Sequence, residues 1–376
     1  MGGDVLDRRS LNRATLARQL LLERSSMPVL VAVEHLVGLQ AQIPLNPYTA
    51  LWSRLADFRP DDLAQLLVDR KVVRVVVMRG TIHLVTADDC LLLRPLVQPI
   101  LDKELARHPE FGRPLDGVDL TPVLEYARLL LAERQRSQAE LRAAFAERFP
   151  DLHAGALAYA CRNHLAFIQV PPRGVWGQSA QVRSTTAEAW LGRPVEAEPS
   201  VDDVVLRYLA AFGPAAVADV AAWSGLTGMR EVVERLRPGL RSFRDERGRE
   251  LFDLPDAPRP APDTPASTRF LPEYDNVLLG HTDRSRFVPD DVRKRLGVAV
   301  DPRTVNGSVL YDGRLCGLWR IDRDKNSGSV TLTVEHVGPL IALARQEIEA
   351  EAHALLGLIA ADASALDVRV GELDAL

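Results

Sequence analysis

Near the start of the chain, Leu11, Ala14, Ala17 and Leu21 recur at helical spacing behind Ser10, a residue suited to capping. This pattern predicts a first helix. Pro28 opens a second helix ending near Leu39, Asn46-Pro47 a capped third, and Pro60 a fourth. The pattern then changes to a β-branched run over 72–77, which turns at Arg79-Gly80 and returns from Ile82 to Val85 as a second strand. Thr86 and Asp89 have the spacing of a capping box for the next helix.

The same theme recurs twice. Helices are predicted over 123–135 and 138–148, the latter with a Ser137/Glu140 capping box, and a third before His164. A hairpin is then expected from Ala166 to Val170, with its tip near Pro172-Arg173-Gly174. Over 201–254, helices flank Gly213-Pro214 and Gly225, and a strand pair turns near Glu246-Arg247-Gly248. Helices followed by a hairpin wing make the winged-helix plan, a variant of helix-turn-helix. Each expected tip carries Arg-Gly. Turn geometry accounts for the glycine, and an exposed wing arginine suits a phosphate or a minor groove. A chain rich in arginine also supplies three such tips by chance.

Five prolines between 255 and 265 predict a linker. Beyond it, Asp312-Gly313 is a strong hairpin signal between strands over 308–311 and 314–321. A turn over 324–328 leads into a strand over 329–334, Gly338-Pro339 opens a long helix to about Ala360, and a last strand is expected over 366–370. The expected fold class is therefore α+β: three tandem winged-helix units (1–118, 119–200 and 201–254), a proline-rich linker (255–267), and a C-terminal β-rich, barrel-like domain with a long helix (268–376).

Composition narrows the function classes. Hydrophobic residues make up 47% and charged residues 26%, as in a soluble globular protein, and no apolar run is long enough to span a membrane. Residues 1–10 are charged and lack the apolar core of a signal peptide, so a cytoplasmic location is expected. Cys90, Cys161 and Cys316 lie far apart and the eight histidines are scattered, which predicts no metal site. Cys161 and His164 read as two side chains of one helix. The net charge of −5 argues mildly against nucleic acid, but local charge decides such binding. No phosphate-binding loop, dinucleotide fingerprint, nucleophile elbow or zinc-protease motif is present. An enzyme with this sequence is expected to work without cofactors and without a covalent triad.

One segment stands out: Gly38-Leu39-Gln40-Ala41-Gln42-Ile43-Pro44-Leu45-Asn46. Pro44 pushes Ile43 out of the helical region. If the chain is extended from about Gln40, both amides point to one side and are able to hold one water or one substrate edge. If the helix continues through Gln42, the amides diverge by about 200°. Glutamines that merely close a helix end are the plain alternative. Glu34 and His35, on the preceding helix, are conventional base types but read more simply as surface or core positions.

This stretch, with Arg79-Gly80-Thr81-Ile82-His83-Leu84-Val85 and Leu271-Pro272-Glu273-Tyr274-Asp275, resembles the AlkZ/YcaQ family of bacterial winged-helix DNA glycosylases. The likeness runs from Leu11 into the C-terminal domain. It implies three tandem winged-helix units, a β-rich C-terminal domain, and Gln40 and Gln42 as the catalytic pair. The Gln-x-Gln form resembles the branch that unhooks azinomycin-type interstrand crosslinks for repair or self-resistance. The sister branch carries aspartate at the position of Gln42.

A purine alkylated on a ring nitrogen is cationic and already a good leaving group. What remains is to place a water and to stabilise an oxocarbenium-like state, which positioning and oriented dipoles are able to do. Neutral amides are poor bases, so Gln40 and Gln42 are assigned to water positioning. Lyase chemistry needs an amine near the site. Only four of the 46 basic residues are lysines (Lys71, Lys103, Lys294 and Lys325), and none is close in sequence to Gln40, which predicts a monofunctional glycosylase. Arg79 and His83 on the first wing, and Arg320, Arg323 and Lys325 around a C-terminal hairpin, are the candidate DNA contacts; the plain alternatives are wing surface for Arg79, a satisfied packed histidine for His83, and a solvated turn for the hairpin, where Asp322 and Asp324 partly cancel the charge. The expected partner is double-stranded DNA containing alkylated or crosslinked purines, met by a monomer. A transcription regulator that only binds DNA is the competing class, because winged helices are common in regulators.

Overall fold

The computed structural model describes residues 4–296 and 306–373. The outermost residues of the first and last predicted units, and 297–305, lie outside that description. Helices and strands alternate throughout in a mixed fold.

The chain opens with β1 (Val5–Leu6), α1 (Arg8–Arg18), α2 (Val29–His35), β2 (Leu39–Gln40), α3 (Asn46–Trp52) and α4 (Pro60–Val68). The predicted hairpin follows as β3 (Val72–Val76) and β4 (Ile82–Thr86), then α5 (Ala87–Leu96) and α6 (Gln98–Arg107). A second cluster comprises α7 (Thr121–Glu133), α8 (Gln138–Arg148), α9 (Ala154–His164), β5 (Phe167–Gln169), β6 (Ser184–Thr186) and α10 (Ala187–Leu191). A third comprises α11 (Val201–Phe212), α12 (Val217–Ser224), α13 (Met229–Leu236), β7 (Arg241–Asp245) and β8 (Glu250–Asp253). The C-terminal region holds β9 (Arg269–Leu271), α14 (Asn276–Leu279), α15 (Asp290–Leu296), β10 (Gly307–Tyr311), β11 (Arg314–Arg323), β12 (Val330–His336), α16 (Ala342–Ile359) and β13 (Leu366–Glu372).

The first two clusters share one sheet, ordered β2-β4-β3-β5-β6. Strand alternation sorts its side chains. Val73, Val75, Val77 and Val85 face a core with Tyr208, Phe212 and Trp223 of the third cluster. Val72, Leu84 and Leu39 face a second core with Ala32, Val33, Tyr48 and Leu51. The helices packed on both faces fix where β2 can lie. The C-terminal sheet has five strands in the order β13-β12-β11-β10-β9, with α16 packed against Phe270, Leu332 and Val334. It is an open sheet with β13 and β9 at its edges.

Local differences from the sequence expectations have identifiable causes. Asp7 rather than Ser10 caps α1, its carboxylate accepting from Ser10 N. β5 and β6 are not joined by a tight turn near Gly174, since residues 170–183 form a long loop between them. Gly174 packs there against the side chain of Arg74, and Arg173 donates to Ala180 O at 3.1 Å. Residues 255–267 contain no helix or strand, yet they are strapped to α1. Arg9 donates to Pro262 O, Arg13 to Thr264 O, and Arg18 to Pro258 O. Arg18 also forms a buried bidentate pair with Asp253 at 2.6 and 2.8 Å, so α1 packs on a segment 235 positions downstream and not only on its sequence neighbours.

Candidate active site

The Gln-x-Gln segment begins on a strand. α2 ends at His35, Val37 and Gly38 take positive φ values of 54° and 87°, and Leu39 and Gln40 pair with Leu84 and His83 of β4. Gly38 is required at this reversal: a Cβ there would lie 2.6 Å from Val85 Cγ1 and 2.9 Å from Leu84 O, in a conformation that L side chains rarely adopt. Ala41 N continues the ladder by donating to Ile82 O at 2.8 Å. Of the two geometries open from sequence, the extended one is found through Ala41.

The two glutamines have different surroundings. Gln40 is buried, and its Oε1 accepts from Arg79 Nη2 at 2.9 Å. Gln42 is exposed, with Oε1 3.4 Å from the Ile82 amide that donates to it. Between them, the Ala41 carbonyl accepts from the buried Arg74 Nη2 at 2.8 Å. Burial, with Arg173 nearby, pulls the Arg74 guanidinium down to about 10. One arginine therefore holds the motif's backbone and another holds its first side chain.

Arg79 was expected as an exposed wing tip, and the structure corrects that. The residue has φ 58° and turns inward, donating to Trp223 O at 2.8 Å and Asn276 Oδ1 at 3.2 Å besides Gln40. Its Nη2 also lies 3.5 Å from His83 Nε2. The left-handed backbone, unfavourable by about 1–2 kcal/mol for a residue with a Cβ, is offset by this set of acceptors. α12 reaches the tip because it ends at Gly225, where a Cβ would stand 3.2 Å from Arg79 Cα. None of these four acceptors is a carboxylate. Burial, with Arg284 nearby, accordingly pulls Arg79 down to about 10.

His83 is placed as the packed histidine of the two readings, inside the wing and not as an exposed DNA contact. It is fully buried, and its Nδ1 lies 3.0 Å from Thr81 O, so the neutral ring donates there and turns Nε2 toward Arg79 as an acceptor. Burial and the Arg79 charge push it down to about 3. Gln40, Arg79 and His83 thus form one cluster with Asn276, whose Nδ2 donates to Gly38 O at 3.2 Å. Sequence reasoning missed Asn276. The signal was the adjacent Asp275, buried and paired bidentately with Arg54 at 2.8 and 2.8 Å, which anchors this turn against the first cluster. Glu273, also missed, has its carboxyl pushed up by burial, and its backbone carbonyl accepts from Asn46.

Arg320, Arg323 and Lys325 lie elsewhere, on β11 and the exposed turn after it. Arg320 pairs with Glu335 at 2.9 Å, and Arg323 donates to Ile359 O at 2.7 Å. No hydrogen bond or ion pair links them to the glutamines among the described residues.

A cavity of about 410 Å³ opens beside Gln42, lined by Ile82, Phe111, Tyr159, Arg142 and Arg162 among others. No lysine is among its lining residues. No group of three or more His, Cys, Asp or Glu side chains suited to a metal occurs among the described residues. Neutral amides, buried guanidiniums and a neutral imidazole make an arrangement able to orient a water or a polar substrate edge, without a strong base.

The family model for AlkZ-like DNA glycosylases matches residues 33–358. The chain belongs to that family. As an AlkZ-like DNA glycosylase it is an enzyme that acts on DNA, which decides against a purely regulatory role. Its structure is similar to that of Streptomyces sahachiroi DNA glycosylase AlkZ, with a TM-score of 0.76 and 21% identity over 98% of this chain and 100% of that one. That likeness speaks for the fold. No functionally curated protein matches the chain. No helix among the described residues is long and apolar enough to cross a membrane.

Proposed function

We propose that this AlkZ-like glycosylase hydrolyses the N-glycosidic bond of alkylated purines in duplex DNA, with Gln40 and Gln42 as its catalytic pair. The observation that carries the reading is the extended backbone from Leu39 to Ala41 that leads into Gln42, held at the Ala41 carbonyl by Arg74 and at the Gln40 side chain by Arg79. Such fixed dipoles need no reorganisation during the reaction, which is where positional catalysis gains most. An alkylated purine departs neutral once its bond breaks, so the enzyme needs little acid help. Water is held by the amides and attacks the sugar carbon as the base leaves. Its proton passes to solvent.

The proposed substrate includes azinomycin-type interstrand crosslinks. A crosslinked base is tied to the opposite strand and does not swing out freely, so it suits an exposed catalytic residue such as Gln42. We further propose three winged-helix units over 1–118, 119–200 and 201–254, a linker over 255–267 and a C-terminal domain from 268, acting as a cytoplasmic, nucleoid-associated monomer. Lys325, at the exposed turn after β11, is the proposed groove-inserting cation, with Arg320 and Arg323 behind it. Exposed ion pairs such as that of Arg320 contribute little and exchange readily for phosphates. Arg79 and His83, being internal, act on DNA through Gln40 and not by direct contact.

A duplex carrying one N7-alkylated guanine tests the reading. The expected products are free base and an abasic site that breaks only after alkali. Strand cleavage without alkali, or a borohydride-trapped covalent complex, would contradict the monofunctional assignment.

A further inference from the structure

The cavity beside Gln42 differs in charge from two other cavities of the molecule, one lined by Asp7 and Glu246 among its arginines and the other by Glu34, Asp69 and Asp88. Exposed arginines in this chain are commonly paired with acids, as in Arg8–Asp290, Arg9–Asp312, Arg235–Asp202 and Arg237–Glu250. No carboxylate lines this cavity, although Arg142, Arg162 and Arg74 do. The polar bond of Arg142 is to Gln138 O of its own helix at 3.4 Å, and Arg162 rests over the Tyr159 ring at 5.2 Å. Neither pairs with an acid among the described residues. Beneath them, Arg74 is 1% exposed, with Nε and Nη1 lacking hydrogen-bond partners. Three guanidiniums around one acid-free concavity create a local positive potential, although the whole chain carries −5.

One wall is aromatic and preassembled. The Phe111 and Tyr159 rings lie 5.0 Å apart at 37°, and His108 stacks on Phe111 at 4.7 Å and 15°. The Tyr159 hydroxyl donates to Glu104, which holds the ring in place. α8 supplies Arg142 and α9 supplies Tyr159 and Arg162, while Gln42 lies on the same lining. A volume of about 410 Å³ falls within the usual range for small-molecule sites. Arginines beside an aromatic face are the combination that binds single nucleotide units, by stacking the base and pairing the phosphate. A cationic alkylated base is repelled by the same charges, so the occupant is an unmodified, anionic unit.

We infer that this cavity is a nucleotide subsite. It receives one undamaged nucleotide unit of the DNA beside the target, with its base against Phe111 and Tyr159 and its phosphate between Arg142 and Arg162. The inference rests on the reading of Gln42 as part of the active site, because it places the target sugar next to that residue. Its role is to register the strand so that the scissile bond meets the glutamines.

The test is salt-dependent binding of the full chain to a fluorescent duplex, with and without an alkylated guanine, by anisotropy. Loss of the one phosphate contact that Arg142 and Arg162 share, in Arg142→Gln/Arg162→Gln, makes the slope of log K against log salt shallower by about one unit. Arg142→Lys/Arg162→Lys, which keeps the charge, restores it. A 2-aminopurine placed beside the lesion is quenched by wild type and less so by Phe111→Leu. Circular dichroism melts of each variant exclude unfolding as the cause. An unchanged slope in a folded Gln variant, or quenching indifferent to Phe111, overturns the subsite. Excision is measured on the same samples. If wild type excises while the slope stays fixed, the subsite fails and the glycosylase reading stands. If the slope changes but Gln42→Ala excises normally, the cavity binds DNA away from the active site, and the inferred role in registering the target is overturned.

Discussion

Arg79 donates to the side-chain oxygen of Gln40 across 2.9 Å. An arginine offers donors only, so the bond fixes which end of the amide is which: Oε1 is engaged and Nε2 faces away. The charge also polarises the amide and strengthens Nε2–H as a donor. Gln42 keeps a carbonyl with only a long bond from Ile82 N. On the proposed reading the two glutamines divide the work, Gln40 donating to the water and Gln42 accepting from it.

Removal of the clamp tests this relationship. Arg79→Lys keeps a charge but does not span Trp223 O, Asn276 and Gln40 together. We expect single-turnover excision to fall roughly 10–100-fold, the equivalent of one charged hydrogen bond, with DNA affinity little changed. A loss of affinity with a normal rate constant would instead make Arg79 a direct DNA contact.

The division of labour predicts asymmetric responses to added carboxylates. Gln42→Asp supplies a better acceptor at an exposed position and should retain excision within about tenfold of wild type. Gln40→Glu places a carboxylate against Arg79, removes the donor, and should lose at least about a hundredfold. Single-turnover assays on one alkylated duplex compare them. Equal losses would refute the asymmetry.

Stability of the site depends on a turn distant in sequence. Asp275 and Arg54 are each 1% exposed in their side chains and pair bidentately. Asp275→Ala leaves a buried, unpaired guanidinium and should destabilise the fold by about 3–5 kcal/mol, read as a lower urea midpoint. A shift equivalent to less than about 1 kcal/mol would show that the pair is dispensable.

Much of this architecture was legible in the chain. The β-branched run through Val75, the capping residues Thr86 and Ser137, and the Asp312-Gly313 turn each encode their element locally. Gly38 and Pro44 bracket the extended motif in the same way. The inward turn of Arg79 was not legible, because its partners Trp223 and Asn276 lie 144 and 197 positions away. Nor was the loop over 170–183, whose Gly174 answers to the Arg74 side chain and not to a two-residue turn. The cavity cations were hidden for a related reason. Only the tertiary structure separates an arginine with an acid beside it from one without.

His83 gives the cluster an acid limit. Its folded value is about 3, against about 6.5 when unfolded. Below pH 6.5 the unfolded chain takes up a proton that the folded chain refuses, so stability falls as pH drops from 6.5 toward 3. The slope is about 1.4 kcal/mol per pH unit from this residue. His83→Asn, which keeps a donor toward Thr81 O and does not titrate, should lose that component of the slope in urea melts at pH 7, 6 and 5. An identical slope in the variant would contradict neutral burial.

The most direct measurement is single-turnover excision from duplex DNA carrying an alkylated guanine, or an azinomycin-type crosslink, by wild type, Gln40→Ala and Gln42→Ala, with alkali revealing abasic sites. We predict release by wild type, with both variants binding the duplex normally but losing at least about a hundredfold in rate. Excision at wild-type rates by either variant would contradict the assignment of the glutamine pair.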